Sequence, residues 1–305
     1  MGFHARLPLE LPQEAADKDG YFSVVLKSQL TVEQAIYPEP KKLFILSDIE
    51  GDFVALSRLL QKARVINSQL NWTFEDGHLV ILGNLFDQGE QFVESLWFLY
   101  GLEGKAQKYG GYVHFILGDH EIVSLNGAWR ELQPRYANQL KKGRNAYITL
   151  FDGNMEIWRW LKTKNIIEKI GDLLFVHGGI SRELLNFDLN LKEINDAARK
   201  YYMHANRTFS DPLLQLIYNS VESPLNLRGH DSGTDEEETI NAALSKYGVR
   251  SIITGHAVIE HISPLFNWKM IHVGSNRKEN NFQALYVKRD KYYRLDLNGT
   301  KVLMK

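Results

Sequence analysis

A chain of 305 residues with 44% hydrophobic and 24% charged residues can bury a sizeable core and carries no compositional sign of disorder. Its 36 Lys plus Arg stand against 37 Asp plus Glu, which leaves no basic excess to drive nucleic-acid binding, and no nucleic-acid partner is expected. There is no cysteine, which excludes disulfides, thiolate catalysis and thiolate zinc sites, so a bound metal must rely on histidines and carboxylates. No apolar run approaches the roughly 18 residues that span a bilayer and the N-terminus lacks a signal-peptide succession, so the expectation is a cytoplasmic protein without a membrane partner.

Length alone suggests two domains, but α/β folds of this size often form one, and the reading here is an N-terminal arm over residues 1–40 followed by a single domain over 41–305. The arm mixes polar stretches with Pro8, Pro12, Pro38 and Pro40, as a leader strand or arm would. From Lys42 the text changes to KLFILSD, an apolar run ending in an acidic turn. The same grammar recurs in HLVILGN, YVHFILGD, DLLFVHGG and VRSIITGH, each predicting a short buried strand that runs into a polar or glycine-rich turn. Between them VALSRLLQKARVI, FVESLWFLYGLEGKAQKY and TINAALSKYG carry helical apolar spacing. Strands alternating with helices predict an α/β fold. Two further sections, about 133–169 and about 183–219, read as a mainly helical insert with Trp158, Trp160, Tyr201 and Tyr202 as packing anchors. The acidic run Asp235 to Glu238 reads as a solvated loop or helix start.

Chemistry concentrates at the five strand ends. SDIEGD brings Asp48 and Glu50, GNLFDQG brings Asn84 and Asp87, GDHE brings Asp119, His120 and Glu121, and VHGG and TGH bring His177 and His256. Each block alone reads as a strand-end turn, with Asp52 as a helix cap, or as a hydrogen-bonded structural histidine. Together, at strand ends that open on one crevice, they supply carboxylates, a carboxamide oxygen and imidazoles, a donor set suited to manganese, iron or zinc. Two such ions roughly 3.5 to 4 Å apart can generate hydroxide and clamp a phosphoryl group.

In order and context these blocks resemble the calcineurin-like metallophosphoesterases, whose pattern is DxHG, GDxxDRG, GNHE, HGG and GH. The resemblance covers about residues 41 to 300. It extends to WLKTKNIIEKIGDLLFVHGGIS, to SPLNLRGH, to the stretch from ITGHAV through WKMIHVGS, and to Leu125, Arg130 and Tyr136, which are similar to the PPP phosphoprotein phosphatases and especially their bacterial Shewanella-like branch. It implies an α/β fold in the form of a β-sandwich flanked by helices. It also implies one or two divalent ions (Mn, Fe, Zn or Mg), with Asp48 and Glu50 on the first, Asn84 between them, and Asp119, His177 and His256 on the second. His120 would then protonate the leaving oxygen, Asp87 would orient its imidazole, and Arg228 would hold phosphate oxygens as a guanidinium fork.

The pattern breaks at several positions. Glu50 replaces a His, Asn84 the bridging Asp, Asp119 the Asn, Gln88 an Arg, and His272 an Asp. Asn84 and Asp119 look like an exchange of one carboxylate across the site, and a neutral carboxamide is a poor bridge between two cations. Loss of the Arg at Gln88 removes a charge-assisted phosphate contact, on the order of 1.5 to 3 kcal/mol. The expected function is hydrolysis of phosphate monoesters, on a phosphorylated protein or a small phosphoester, by metal-bound hydroxide. The alternative is a degenerate, non-catalytic protein that binds a phospho-ligand or partner.

Overall fold

The computed structural model describes residues 4–8, 21–86, 89, 91–126, 155–205, 207–228, 234–274 and 281–305. All five strands predicted from apolar runs are present: β4 (Lys42–Leu46), β5 (His78–Leu82), β6 (Tyr112–Ile116), β8 (Leu173–Val176) and β9 (Ser251–Thr254). They divide between two six-stranded sheets. β4, β5 and β6 run parallel in one sheet, which the antiparallel strands β12 (Gln283–Lys288), β13 (Lys291–Asp296) and β14 (Lys301–Leu303) extend on the β4 side. β8 and β9 run parallel in the other, flanked by β11 (Met270–His272) and β10 (Ser263–Leu265) on one side. On its other side lie β7 (Ile167–Ile170) and β3 (Ile36–Tyr37).

The strands read as unbroken apolar runs because both of their faces are covered. Leu43, Ile45, Val80 and Leu82 of the first sheet share a buried layer with Phe175, Ile253 and Ile271 of the second, which is the interior of the sandwich. Their neighbours in sequence, Phe44, Leu46, Leu79 and Ile81, face the opposite way into a larger core shared with the helices. Helix α1 (Phe53–Lys62) starts at Asp52, whose carboxylate accepts the Ala55 N–H at 2.8 Å, and packs on α2 (Phe92–Gln107) through a T-shaped Phe53–Phe98 contact. The third predicted helix spans Thr234–Tyr247 and includes the acidic run.

The helical reading of 183–219 holds, with helices at Arg182–Asn186, Leu191–Arg199 and Pro212–Asn219. The reading of 133–169 needs correction at its end. Residues 127–154, with Arg130 and Tyr136, lie outside the described residues. A helix follows at Glu156–Leu161, but Ile167–Ile170 is strand β7. Trp158, Trp160 and Tyr202 are buried anchors as expected, while half-buried Tyr201 packs edge-on against Phe209. The N-terminal stretch also does more than an arm would. β2 (Tyr21–Val25), paired with β1 (His4–Pro8), buries Val24, and β3 closes an edge of the second sheet. Just ahead of β3, Glu33 meets the buried Lys164 ammonium at 2.7 Å, which also holds Glu103 of α2 at 2.6 Å. Among the described residues no helix is long and apolar enough to cross a membrane.

Away from the strand ends that carry the candidate site, the sandwich interior turns polar. His78, His114 and Glu168 form a chain, His78 Nδ1 to His114 Nε2 at 2.9 Å and His114 Nδ1 to Glu168 at 2.8 Å. Burial holds both imidazoles down to about 3, and burial with the nearby Glu33 charge pushes Glu168 well above the usual carboxyl range. A protonated Glu168 then donates to His114, and the His114 Nε2–H donates to His78. Between pH 4.5 and 6.5, the ordinary midpoints of Glu and His, the unfolded chain binds two protons on the histidines and the native chain one on Glu168. Stability from these groups therefore rises with pH there, by about 1 kcal/mol per unit. Past the ordinary histidine midpoint that gain ends, and stability falls as pH climbs through the raised Glu168 midpoint. Urea denaturation should show stability rising as pH climbs from about 4.5 toward 6.5, and a curve that is flat or falling over that window would contradict this protonation pattern.

Candidate metal centre

The carboxyl ends of β4, β5 and β6 meet those of β8 and β9 at one point between the sheets, and the backbone there is unusual. Asp48, Glu50, Asn84 and His256 have φ of 54°, 50°, 52° and 60°, left-handed conformations that cost a non-glycine residue roughly 1–3 kcal/mol each. The loops hold one another in that state. Asp48 N–H donates to Gly83 O at 3.2 Å, Glu50 N–H to Asn84 O at 2.8 Å, and Gly255 N–H to His177 O at 2.9 Å. Glycines let them approach so closely. A Cβ on Gly83 would sit 2.4 Å from His177 Nδ1, and one on Gly118 would sit 2.7 Å from Asn84 Oδ1.

His177 is fully buried, and its Nδ1–H donates to Leu82 O at 2.7 Å, which fixes the tautomer and leaves the Nε2 lone pair facing the centre. That nitrogen lies 3.3 Å from Asp119 Oδ1 and 4.0 Å from Asp48 Oδ1. His256 Nδ1 lies 3.5 Å from the same Asp119 oxygen. Burial raises the Asp119 carboxyl, but His177 and His256 beside it outweigh burial and hold it far below the usual range. Burial lowers the His177 imidazole, and Asp119 and Asp48 together outweigh that and raise it. Asp119 Oδ1, His177 Nε2 and His256 Nδ1 are buried without a hydrogen-bond partner, and these three residues offer ligand atoms within 4.8 Å of one another. Three orphaned polar atoms at one point are costly unless something satisfies them. Two imidazoles and a carboxylate fit a divalent ion of intermediate hardness, with coordination positions left open for water or substrate.

The remaining sequence-predicted ligands sit beside this cluster. Asn84 Nδ2 donates to Asp48 Oδ1 at 3.0 Å, and Asn84 Oδ1 accepts the His120 N–H at 3.3 Å. Asp48 Oδ2 accepts the His256 N–H at 3.0 Å. Glu50 is half-buried, its carbonyl accepts the Gly89 N–H at 2.6 Å, and among the described residues it joins no three-residue ligand cluster. His120 opens α3 (Asp119–Leu125) with its side chain 30% exposed and its Nε2 3.8 Å from Asp119 Oδ2. Arg228 arrives on the SPLNLRG loop, which packs against Gly178, where Gly178 N–H donates to Pro224 O at 2.9 Å. Its Nε donates to His256 Nε2 at 2.7 Å while the residue as a whole stays exposed; that bond keeps the proton of a neutral His256 on Nδ1, so binding an ion through Nδ1 requires the Arg228 contact to give way to an Nε2–H. His272, on β11, contacts the Thr254 hydroxyl rather than the three-residue cluster. Asp87 and Gln88 lie outside the described residues.

One residue with a structural hold on the centre is missing from the ligand reading. Glu121 is fully buried, and its carboxyl accepts four backbone N–H groups, from Asn84 at 2.9 Å, Leu85 at 2.8 Å, Phe86 at 3.2 Å and Gly118 at 2.8 Å. It thus ties the Asn84 turn to the start of α3. The signal was present in the sequence as an acidic residue three positions after Gly118, the register of a capping box.

Similarity to known proteins agrees with this geometry. The family model for calcineurin-like phosphoesterases matches residues 41–260. The chain is 25% identical over 214 residues to Shewanella-like protein phosphatase 2 of Arabidopsis thaliana, covering 56% of this chain and 54% of that one. It is 27% identical over 156 residues to Shewanella-like protein phosphatase 1 of Plasmodium berghei, covering 50% and 42%. The chain thus spans about half the length of these curated relatives. Among solved structures, the cold-active protein-tyrosine phosphatase of a psychrophilic Shewanella superposes with a TM-score of 0.84 at 31% identity, covering 97% of this chain and 89% of that one. A family match running from β4 past His256, with a superposition over nearly the whole chain, makes this protein a member of the calcineurin-like phosphoesterases.

Proposed function

We propose that the chain is a metal-dependent phosphatase that hydrolyses phosphate monoesters, with phosphorylated proteins or small phosphoesters as substrates. The observation that carries this reading is the convergence of the orphaned Asp119, His177 and His256 atoms at the strand ends. Relatives named as protein phosphatases and a protein-tyrosine phosphatase support the substrate class. A divalent ion at this cluster supplies a Lewis acid that neutralises phosphoryl charge and lowers the pKa of water, and manganese, iron, zinc and magnesium are the ions to compare.

The protein's own groups supply the rest. His177 presents Nε2 because Leu82 O holds its Nδ1 proton. Arg228 brings an exposed guanidinium beside His256, and in this reading its role is to fork around phosphate oxygens. His120, at the helix start and partly open to solvent, is the proton donor to the leaving oxygen, and Asp87, which lies outside the described residues, would be its orienting partner. The test is p-nitrophenyl phosphate hydrolysis by metal-stripped protein with each ion restored, beside His177→Ala. Turnover should require metal and collapse in the variant. Metal bound by the native protein with no turnover above the variant would instead make it a phosphatase-fold binding protein.

A further inference from the structure

We propose that the centre holds a single divalent ion, on Asp119, His177 and His256, and that the Asn84 carboxamide takes up against Asp48 the place a second cation would need. The inference rests on the metal-dependent reading above and deepens it. Its basis is the orientation of one amide. The Asn84 oxygen accepts the His120 N–H, and its Nδ2 donates to Asp48 Oδ1. Flipping the group would set an amine against an N–H and an oxygen against a carboxylate, so both neighbours fix the same orientation.

That orientation is unfavourable to a second ion. The positive end of the amide dipole points at Asp48, the carboxylate such an ion would have to use, and the other Asp48 oxygen already takes the His256 N–H. A neutral carboxamide is also a weak bridge between two cations. Among the described residues the group of histidines and carboxylates with ligand atoms close together is Asp119, His177 and His256, and neither Asp48 nor Glu50 belongs to it. Asp119 meanwhile puts a full carboxylate next to the two imidazoles, which strengthens the ion on that side. The arrangement is an amide-to-carboxylate hydrogen bond in one half of the centre and a two-histidine, one-carboxylate site in the other.

The experiment is metal stoichiometry, which needs neither substrate nor turnover. Chelator-stripped protein is saturated with manganese, dialysed and measured by plasma emission, and its Mn(II) paramagnetic resonance spectrum is recorded. One ion per chain and an uncoupled six-line spectrum are expected. Two ions with an exchange-coupled spectrum would overturn this inference and leave the phosphatase reading standing, whereas no bound ion with manganese, zinc or iron would overturn both. Asn84→Asp, checked for native folding by circular dichroism, should acquire a second ion. A folded variant that still binds one would remove Asn84 as the cause.

Discussion

Replacing Glu121 with alanine should destabilise the protein by about 4 kcal/mol or more and release the metal centre at the same time. Four backbone N–H groups lose their acceptor together, in a place where the side chain has no exposed surface. Each unsatisfied buried donor costs roughly 1–3 kcal/mol, and water entering the vacated space recovers only part of the sum. The functional effect follows from where those donors sit. The three consecutive N–H groups from Asn84 to Phe86 hold the turn in which Asn84 is left-handed, and the Gly118 N–H fixes the approach to Asp119 and His120. Without the carboxyl the strained turn relaxes, and Asn84 leaves both Asp48 and the His120 N–H. Glu121→Gln keeps the volume but turns an N–H₂ toward backbone donors, so it should restore only a fraction of the loss. Urea midpoints and manganese affinity, measured side by side, check this. A Glu121→Ala protein within about 1 kcal/mol of the native one would mean that the loops are held by something else.

Glu121 also marks the limit of what the sequence alone conveys about this centre. Five strand ends are legible because strands covered on both faces are written as apolar runs, and each run breaks at a charged, amide or imidazole residue. β7 is not legible in this way. Its text IEKI is broken by Glu168, which faces His114 inside the sandwich, and by Lys169, whose ammonium reaches Tyr247 O and Gly248 O at 2.9 Å. β3 is a two-residue strand with Ile36 exposed, too short to have a period. Glu33 is as opaque, because the Lys164 it meets lies 131 residues away in sequence. The identity of Asn84 is visible in the sequence, whereas the direction of its amide depends on a backbone N–H 36 residues away. Motif spacing therefore locates the donors, and only the tertiary hydrogen bonds decide which of them still face a cation.

His120→Asn should lower turnover by about 10²- to 10⁴-fold while leaving metal content unchanged, because proton transfer to the leaving group is what this imidazole would contribute. It belongs to none of the three orphaned donors, and its Nε2 is 3.8 Å from the Asp119 oxygen that does not face the histidine pair. Asparagine keeps the backbone N–H that Asn84 Oδ1 accepts, so the support for the amide survives the substitution. The loss should also depend on the ester. p-Nitrophenolate departs readily without a proton, whereas the alkoxide of serine or of an alkyl phosphate does not, so the penalty should be small for the first and large for the second. An equal loss on every leaving group would make His120 a residue that shapes the site rather than one that protonates the departing oxygen.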